Sequence, residues 1–283
     1  MKGFVAAMLS AAKKASGQNL RTPLHLALSY DEEIGCIGVR SMIDMLSAAP
    51  HLPLMCVVGE PTGLAVATGH KGKMAARARF TGRAGHSALA PFAVNALYLA
   101  NDFITILRDV QADLQASGGQ DADYDVPYTT LHVGRISGGG ALNIVPHHCE
   151  LDFEIRNLAQ DDPQEILQRL KRAAQQIADT ARTDAPEASV EIEVFNTYPG
   201  LDTPPGAAVV GFVKSLTGAN GSYKVAYGTE GGLFNQRLGV PTVVCGPGDM
   251  AQGHKPDEFV SEAQLTACDV MLSNLVARLV EGV

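Results

Sequence analysis
The chain has 283 residues, enough for one large domain or two ordinary ones, and 46% of them are hydrophobic, which suffices for a well-buried core. A formal charge of −8 with no basic block argues against nucleic acid and anionic membrane as partners. No apolar run approaches the roughly 20 residues that span a bilayer, and five scattered cysteines (Cys36, Cys56, Cys149, Cys245, Cys268) lack paired metal spacing, which suits reduced thiols in a cytoplasmic protein.

The N-terminus mixes basic, apolar and small residues in a way that can mimic a signal peptide. Phe4, Val5, Met8 and Leu9 follow helical spacing, however, and Ser10 and Lys13 break the run, so an amphipathic helix is expected. Residues 24–30 (LHLALSY) alternate as a strand does and lead into Asp31-Glu32-Glu33. A helix follows with Val39, Met42, Ile43 and Leu46 on one face. Residues 52–59 form a short apolar run, the mark of a strand buried on both faces, and end at Glu60-Pro61-Thr62. Helix alternating with buried strand predicts a parallel α/β sheet.

Near residue 70 the pattern changes. Residues 71–81 alternate basic and small side chains as a half-exposed strand, and residues 92–110 have helical periodicity. Then come a strand at 130–137 (TLHVGRIS), a Gly138-Gly139-Gly140 turn and a strand at 148–156 (HCELDFEIR). A helix opening at Asp162-Pro163 runs to about Thr183, and 189–195 alternate as a last strand. This β-α-β-β-α-β order predicts a split βαβ (ferredoxin-like) α+β unit, an antiparallel sheet with two helices on one face. It is expected as an inserted lid over 70–199, interrupting a mostly parallel α/β domain formed by 1–69 and 200–283.

From Thr203 the α/β pattern resumes. A helix is expected at 206–217, another near Gly231 and a buried strand at 241–246. An irregular loop, GPGDMAQGHKPDEFV, leads to a closing helix from Ser261 to about Glu281, where Ser261 and Gln264 have the form of a capping box.

Three acidic or imidazole sites lie just past predicted strand ends: Asp31-Glu32-Glu33, Glu60 and His254. In open α/β sheets, ligand and catalytic groups gather at the carboxyl ends of the strands. Two carboxylates and an imidazole are suitable zinc ligands, and adjacent glutamates in a loop allow one to bind metal while the other handles protons. The plainer readings are a solvated acidic loop, a helix N-terminus favoured by its dipole, and a lone loop histidine. Spacing by itself leaves both open.

SYDEEIG, GEPT, GRAGHSA, LNIVP followed by FEIR, YGTEGG and GPGDMAQGHKPDEFV occur in that order. The series resembles the acetylornithine deacetylase, succinyl-diaminopimelate desuccinylase and aminoacylase family of zinc hydrolases, through essentially the whole chain. The resemblance implies Glu32 as general base and Glu33, Glu60 and His254 as zinc ligands. It implies His86 on the lid as an oxyanion stabiliser, in some dimeric relatives reaching into the partner's site. Asn143, Arg156, Gly228 and Thr229 would hold the substrate's carboxylate and polarised carbonyl. Two zinc ions are implied, with cobalt as a substitute, and a homodimer formed through the lid. YGTEGGLF and CGPG…GHKPDEFV favour the acetylornithine branch over the desuccinylases, which usually carry Thr-Ser-Asp.

The expected reaction is hydrolysis of N-acetyl-ornithine to ornithine and acetate in arginine biosynthesis. Alternatives are deacylation of another N-acyl amino acid, such as N-succinyl-diaminopimelate, and a non-catalytic relative acting in binding or assembly. The family's first zinc histidine, in a His-x-Asp motif, and its bridging aspartate before Met-Lys-Gly have no counterpart here, for the sequence opens at Met1-Lys2-Gly3. A fragment, a gene product started at an internal methionine or a degenerate relative is expected, without a tightly held dinuclear centre. His25, His51, His70, His132, His147 and His148 lie in no comparable context.

Overall fold
In a computed structural model covering residues 1–283, the chain divides into two units, Met1–Lys71 with Pro199–Val283 and Gly72–Tyr198. The first unit opens with α1 (Lys2–Ser16), whose buried stripe is Phe4, Ala7, Ala11 and Ala15. Small residues let this helix pack closely on the C-terminal helix, while Leu9, expected on the apolar face, stays exposed. The strand expected at 24–30 does not form. LHLALSY is unpaired, with Leu26, Leu28 and Tyr30 exposed, because alternation becomes a strand only beside a partner. Helix α2 (Val39–Ser47) buries Val39 and Ile43. The run at 52–59 contracts to β1 (Cys56–Val58), since Pro53 cannot donate to a ladder and only these residues meet a neighbour. Strand β2 (Val66–His70), absent from the sequence expectations, is buried along its whole length.

The second unit runs β3 (Lys73–Thr81), β4 (Gly85–His86), a 3-10 turn at Ser87–Phe92, α3 (Ala96–Ser117), β5 (Thr130–Gly138), β6 (Ile144–Val145), β7 (His148–Arg156), α4 (Pro163–Ala181) and β8 (Ser189–Tyr198). Its main sheet has the order β5-β7-β3-β8, antiparallel throughout, which is the split βαβ arrangement. Helix α3 starts at 96, not 92, because Asn95 caps it, its Oδ1 accepting from the Leu97 N–H at 2.9 Å. Alternate residues Met74, Ala76, Ala78 and Phe80 of β3 and Leu151, Phe153 and Ile155 of β7 pack with Leu99, Phe103 and Leu170 of the helices. The Phe103 ring lies 5.8 Å from Phe80 and 5.7 Å from Phe153. The intervening residues carry charge: Arg77 grips Asp152 across the ladder with bonds of 2.6 and 2.9 Å.

The chain then returns with β9 (Leu201–Asp202), α5 (Ala208–Thr217), β10 (Ser222–Val225), α6 (Gly231–Leu238), β11 (Thr242–Val244) and α7 (Glu262–Glu281). The sheet of this unit has the order β1-β11-β2-β10, with β9 against β2. The pairs β1–β11 and β10–β2 are parallel and carry the longer registers, while β11–β2 and β2–β9 are brief antiparallel contacts. Phe4, Val66, Val209, Val213, Val243 and Met271 share one core. The expected capping box is half formed. Ser261 Oγ accepts from the Gln264 N–H at 3.2 Å, but the Gln264 side chain accepts from the Gly248 N–H at 3.2 Å, tying the start of α7 to the loop after β11.

Candidate active site
Because β1 and β11 are parallel, the chain leaves both at the same end of the sheet. Glu60 follows β1, and the loop that carries His254 follows β11. The two exits touch: a Cβ on Gly246 would fall 2.2 Å from the Gly59 carbonyl oxygen, so only glycine fits there. Thr62 clamps them, its N–H donating to the Gly246 carbonyl at 3.1 Å and its Oγ1 accepting from the Gly246 N–H at 3.2 Å. The Tyr227 hydroxyl donates to the Pro61 carbonyl at 2.7 Å. Glu32 and Glu33 sit on a tight turn whose Glu32 carbonyl accepts from the Gly35 and Cys36 N–H groups, each at 2.9 Å. Asp31 and Cys36 flank it with φ of 55° each, and this left-handed backbone releases the two glutamates from strand alternation.

The turn and the β1 exit share an acidic field. Burial and then the charge of Glu32 push the Glu60 carboxyl up to about 7, with Glu33 and Glu230 adding and the Met1 ammonium opposing. Glu230, the N-cap residue of α6, is also raised, by burial first, against a hydrogen bond from Ser29, and by Glu32. Ser29 Oγ donates to Glu230 Oε2 at 2.8 Å, while Glu230 Oε1 is buried without a hydrogen-bond partner. The Cys36 thiol donates to Glu32 Oε1 at 3.5 Å; burial, then the Glu32 charge, holds that thiol far above the usual range. Glu230 and Cys36 were not among the sequence candidates. The signals were the glutamate of YGTEGG and the cysteine one turn beyond Glu32.

Glu33 and His254 meet, with Oε2 and Nε2 3.6 Å apart and side chains 76% and 69% exposed. His254 has φ of 58°, and its N–H donates to Glu258 Oε2 at 3.1 Å. A carboxylate and an imidazole in an uncompensated acidic field suit a divalent cation. No three histidine, cysteine or carboxylate groups converge closely enough to hold one, however. The residues present thus form a ligand pair, and Glu60 is joined to it by field and not by reach.

Thr229 is fully buried and its Oγ1 accepts from the Gly231 N–H at 3.0 Å, so its side chain caps α6. Gly228 precedes it, half-buried. His70, at the end of β2, is also fully buried: Nε2 accepts from the Gly232 N–H at 3.3 Å and Nδ1 lies 3.0 Å from the Lys71 carbonyl, which sets the Nδ1-protonated tautomer. Burial lowers its pKa to about 4, so it is neutral. In the second unit, His86 is exposed on β4, its Nδ1 accepting from the Ala88 N–H at 3.1 Å. The Ser87 N–H donates to the Asn143 carbonyl at 3.0 Å, so His86 and Asn143 are neighbours. Arg156 ends β7, whose start at His148 adjoins the β4–β6 pair; at a rise of about 3.3 Å per residue the two ends are about 26 Å apart. Its guanidinium donates to both Glu154 oxygens, at 3.0 and 3.2 Å, and to the Tyr198 hydroxyl at 3.1 Å. The unit does not bring Arg156 to His86 and Asn143.

Residues 68–182 match the family model described as a peptidase dimerisation domain. Over 282 residues the chain is 32% identical to the acetylornithine deacetylase of Myxococcus xanthus, covering 99% of this chain and 71% of that protein. It is likewise 32% identical over 285 residues to the acetylornithine deacetylase of Pasteurella multocida, covering 100% and 71%. Among solved structures, a metallo-carboxypeptidase from Sulfolobus solfataricus superimposes with TM-score 0.76 at 19% identity, covering 99% of this chain and 76% of that one. An aminopeptidase from Bacillus cereus does so with TM-score 0.74 at 18% identity, covering 99% and 70%. The structural neighbours share the α/β fold with its inserted unit, and the sequence relatives go further: this chain belongs to the acetylornithine deacetylase family of metal-dependent hydrolases.

Proposed function
We propose that the chain serves the hydrolysis of N-acetyl-ornithine to ornithine and acetate, a step of arginine biosynthesis, in the cytoplasm. The observation that carries this reading is 32% identity to acetylornithine deacetylases over nearly the whole chain, joined to the grouping of Glu32, Glu33, Glu60 and His254 around one acidic field. Five free cysteines accord with a reducing compartment, and no helix is long and apolar enough to cross a membrane.

Glu33 and His254 would hold zinc, or cobalt in its place, with Glu60 as the further ligand. A bound zinc lowers the pKa of its water to about 7. Glu32, oriented by the Cys36 thiol, is placed to take the water's proton and hand it to the leaving nitrogen. Arg156 has a fork suited to an α-carboxylate, once it exchanges Glu154 for the substrate. Thr229 supports the reading through the fold of its turn, since its hydroxyl is already engaged.

The separation of His86 and Asn143 from Arg156 supports a homodimer, in which one copy's His86 and the other's Arg156 serve one substrate. The exposed apolar residues Leu89, Phe92, Tyr98, Leu142 and Ile144 around the β4–β6 pair supply a surface for it.

The test is turnover of a panel of N-acyl amino acids with zinc or cobalt added. N-acetyl-ornithine should be cleaved fastest; preference for N-succinyl-diaminopimelate would move the chain to that activity. The unassembled ligand triad favours a second reading, a folded relative that binds or assembles without catalysis. Absence of turnover across the panel, with both units folded, would select it.

A further inference from the structure
The first unit carries an apolar groove of about 890 Å³ whose floor is formed by α1, α5 and α7, through Phe4, Met8, Phe212 and Leu275. One wall is residues 22–26 and the other is residues 49–55 with Val57 of β1. Both walls are unfinished as β-structure. Residues 24–30 alternate as a half-buried strand does, yet residues 23–28 make no backbone hydrogen bond. Strand β1 ends its sheet and pairs on one side only. Leu52 and Leu54, leading into β1, are exposed, as are Leu26 and Leu28 opposite. Unpaired main-chain donors and acceptors beside an apolar trough form a template on which a strand adds: hydrogen bonds come from the walls and burial from the floor.

We propose that this groove is the seat of an extended, largely apolar β-strand segment, which lies between residues 24–30 and β1 and lays alternate side chains on α1 and α7. The occupant is a stretch equivalent to the part of the relatives that lies outside their match to this chain. The Myxococcus xanthus protein is matched over 99% of this chain but only 71% of its own length, so further polypeptide accompanies this fold there, and this is where the sheet stands open. A small apolar ligand could fill such a volume, but it would leave the main chain of 23–28 unpaired. The proposal rests on family membership and not on the substrate assigned above.

The test mixes the purified chain with the part of the Myxococcus xanthus deacetylase outside the 282-residue match, made as a separate polypeptide. Light scattering should give a one-to-one complex, and amide exchange at residues 24–28 and 56–58 should slow by about 100-fold. Leu26→Asp and Leu54→Asp, at exposed positions, should each weaken the complex by about tenfold or more, with far-UV circular dichroism of the free chain unchanged. Absence of a complex with a folded chain overturns the proposal. So does a complex in which 24–28 still exchange fast, or protection that grows with concentration of the chain alone, which would make a second copy the occupant. None of these readouts uses turnover, so failure here leaves the deacetylase reading standing, and loss of that reading leaves this one testable.

Discussion
His70 and Glu60 titrate in opposite senses, and that gives the metal-free protein a pH profile that can be dissected. His70 drops from 6.5 in the unfolded chain to about 4 in the fold. Below 6.5 the unfolded state binds a proton that the fold refuses, so stability is lost as pH falls from about 6.5 to 4, by about 3 kcal/mol in all. Glu60 rises from 4.5 to about 7, so the stability it contributes is complete below 4.5 and is lost as pH rises through 7. Thermal melts in chelator from pH 4 to 8 should show His70→Gln flattening the acid limb and Glu60→Gln raising Tm above pH 7 only. An acid limb equally steep in His70→Gln would remove His70 from the account. Glu32 and Glu33 should also fail differently. Glu32→Gln keeps zinc affinity while turnover falls by roughly 10²–10⁴-fold, the usual worth of a general base. Glu33→Gln swaps an anionic ligand for an amide, so zinc titration calorimetry should record the loss instead.

At the scale of elements, the second unit was the more legible. Its alternation in β3 and β7 and the periodicity of α3 and α4 are local signals, and each strand finds its partners inside the same unit. Residues 24–30 carry an alternation just as clear, but a strand is a property of a pair and no neighbour stands beside it. Strands β2 and β10 went unforeseen for the converse reason: each is short and becomes a strand by pairing with the other. Phe103, fully buried between Phe80 and Phe153, anchors the second unit. Phe103→Ala should lower the stability of that unit by about 3–5 kcal/mol. Calorimetry that resolves two transitions should show the first unit's transition unmoved; a common shift of both would mean that the units unfold as one.

At the scale of the whole molecule, the dimer is the quantity to measure. Light scattering should give twice the chain's mass, and Leu142→Asp, at a side chain 101% exposed, should yield a folded monomer. A Leu142→Asp protein that remains dimeric would place the interface elsewhere. If the dimer also completes the site, that monomer should lose turnover although Glu32, Glu33 and Glu60 are untouched. Mixing it with a Glu32→Gln protein would then restore activity only where the two pair.

Local order in the sequence determined the split βαβ unit, the helices and the motif set of the family, because periodicity, caps and contiguous motifs are written in neighbouring residues. It also placed Glu32, Glu33, Glu60 and His254 as candidates, through their positions after predicted strands. Only tertiary structure decided that Thr229 and His70 spend their polar atoms on the start of α6, and that Glu230 shares the field of Glu32 and Glu60. It alone set Arg156 and His86 at opposite ends of one strand and left Glu60 short of the Glu33–His254 pair. The physical reason is common to all of them. Hydrogen-bond partners, burial and charge fields act through space between residues far apart in the chain, and no local pattern encodes those distances.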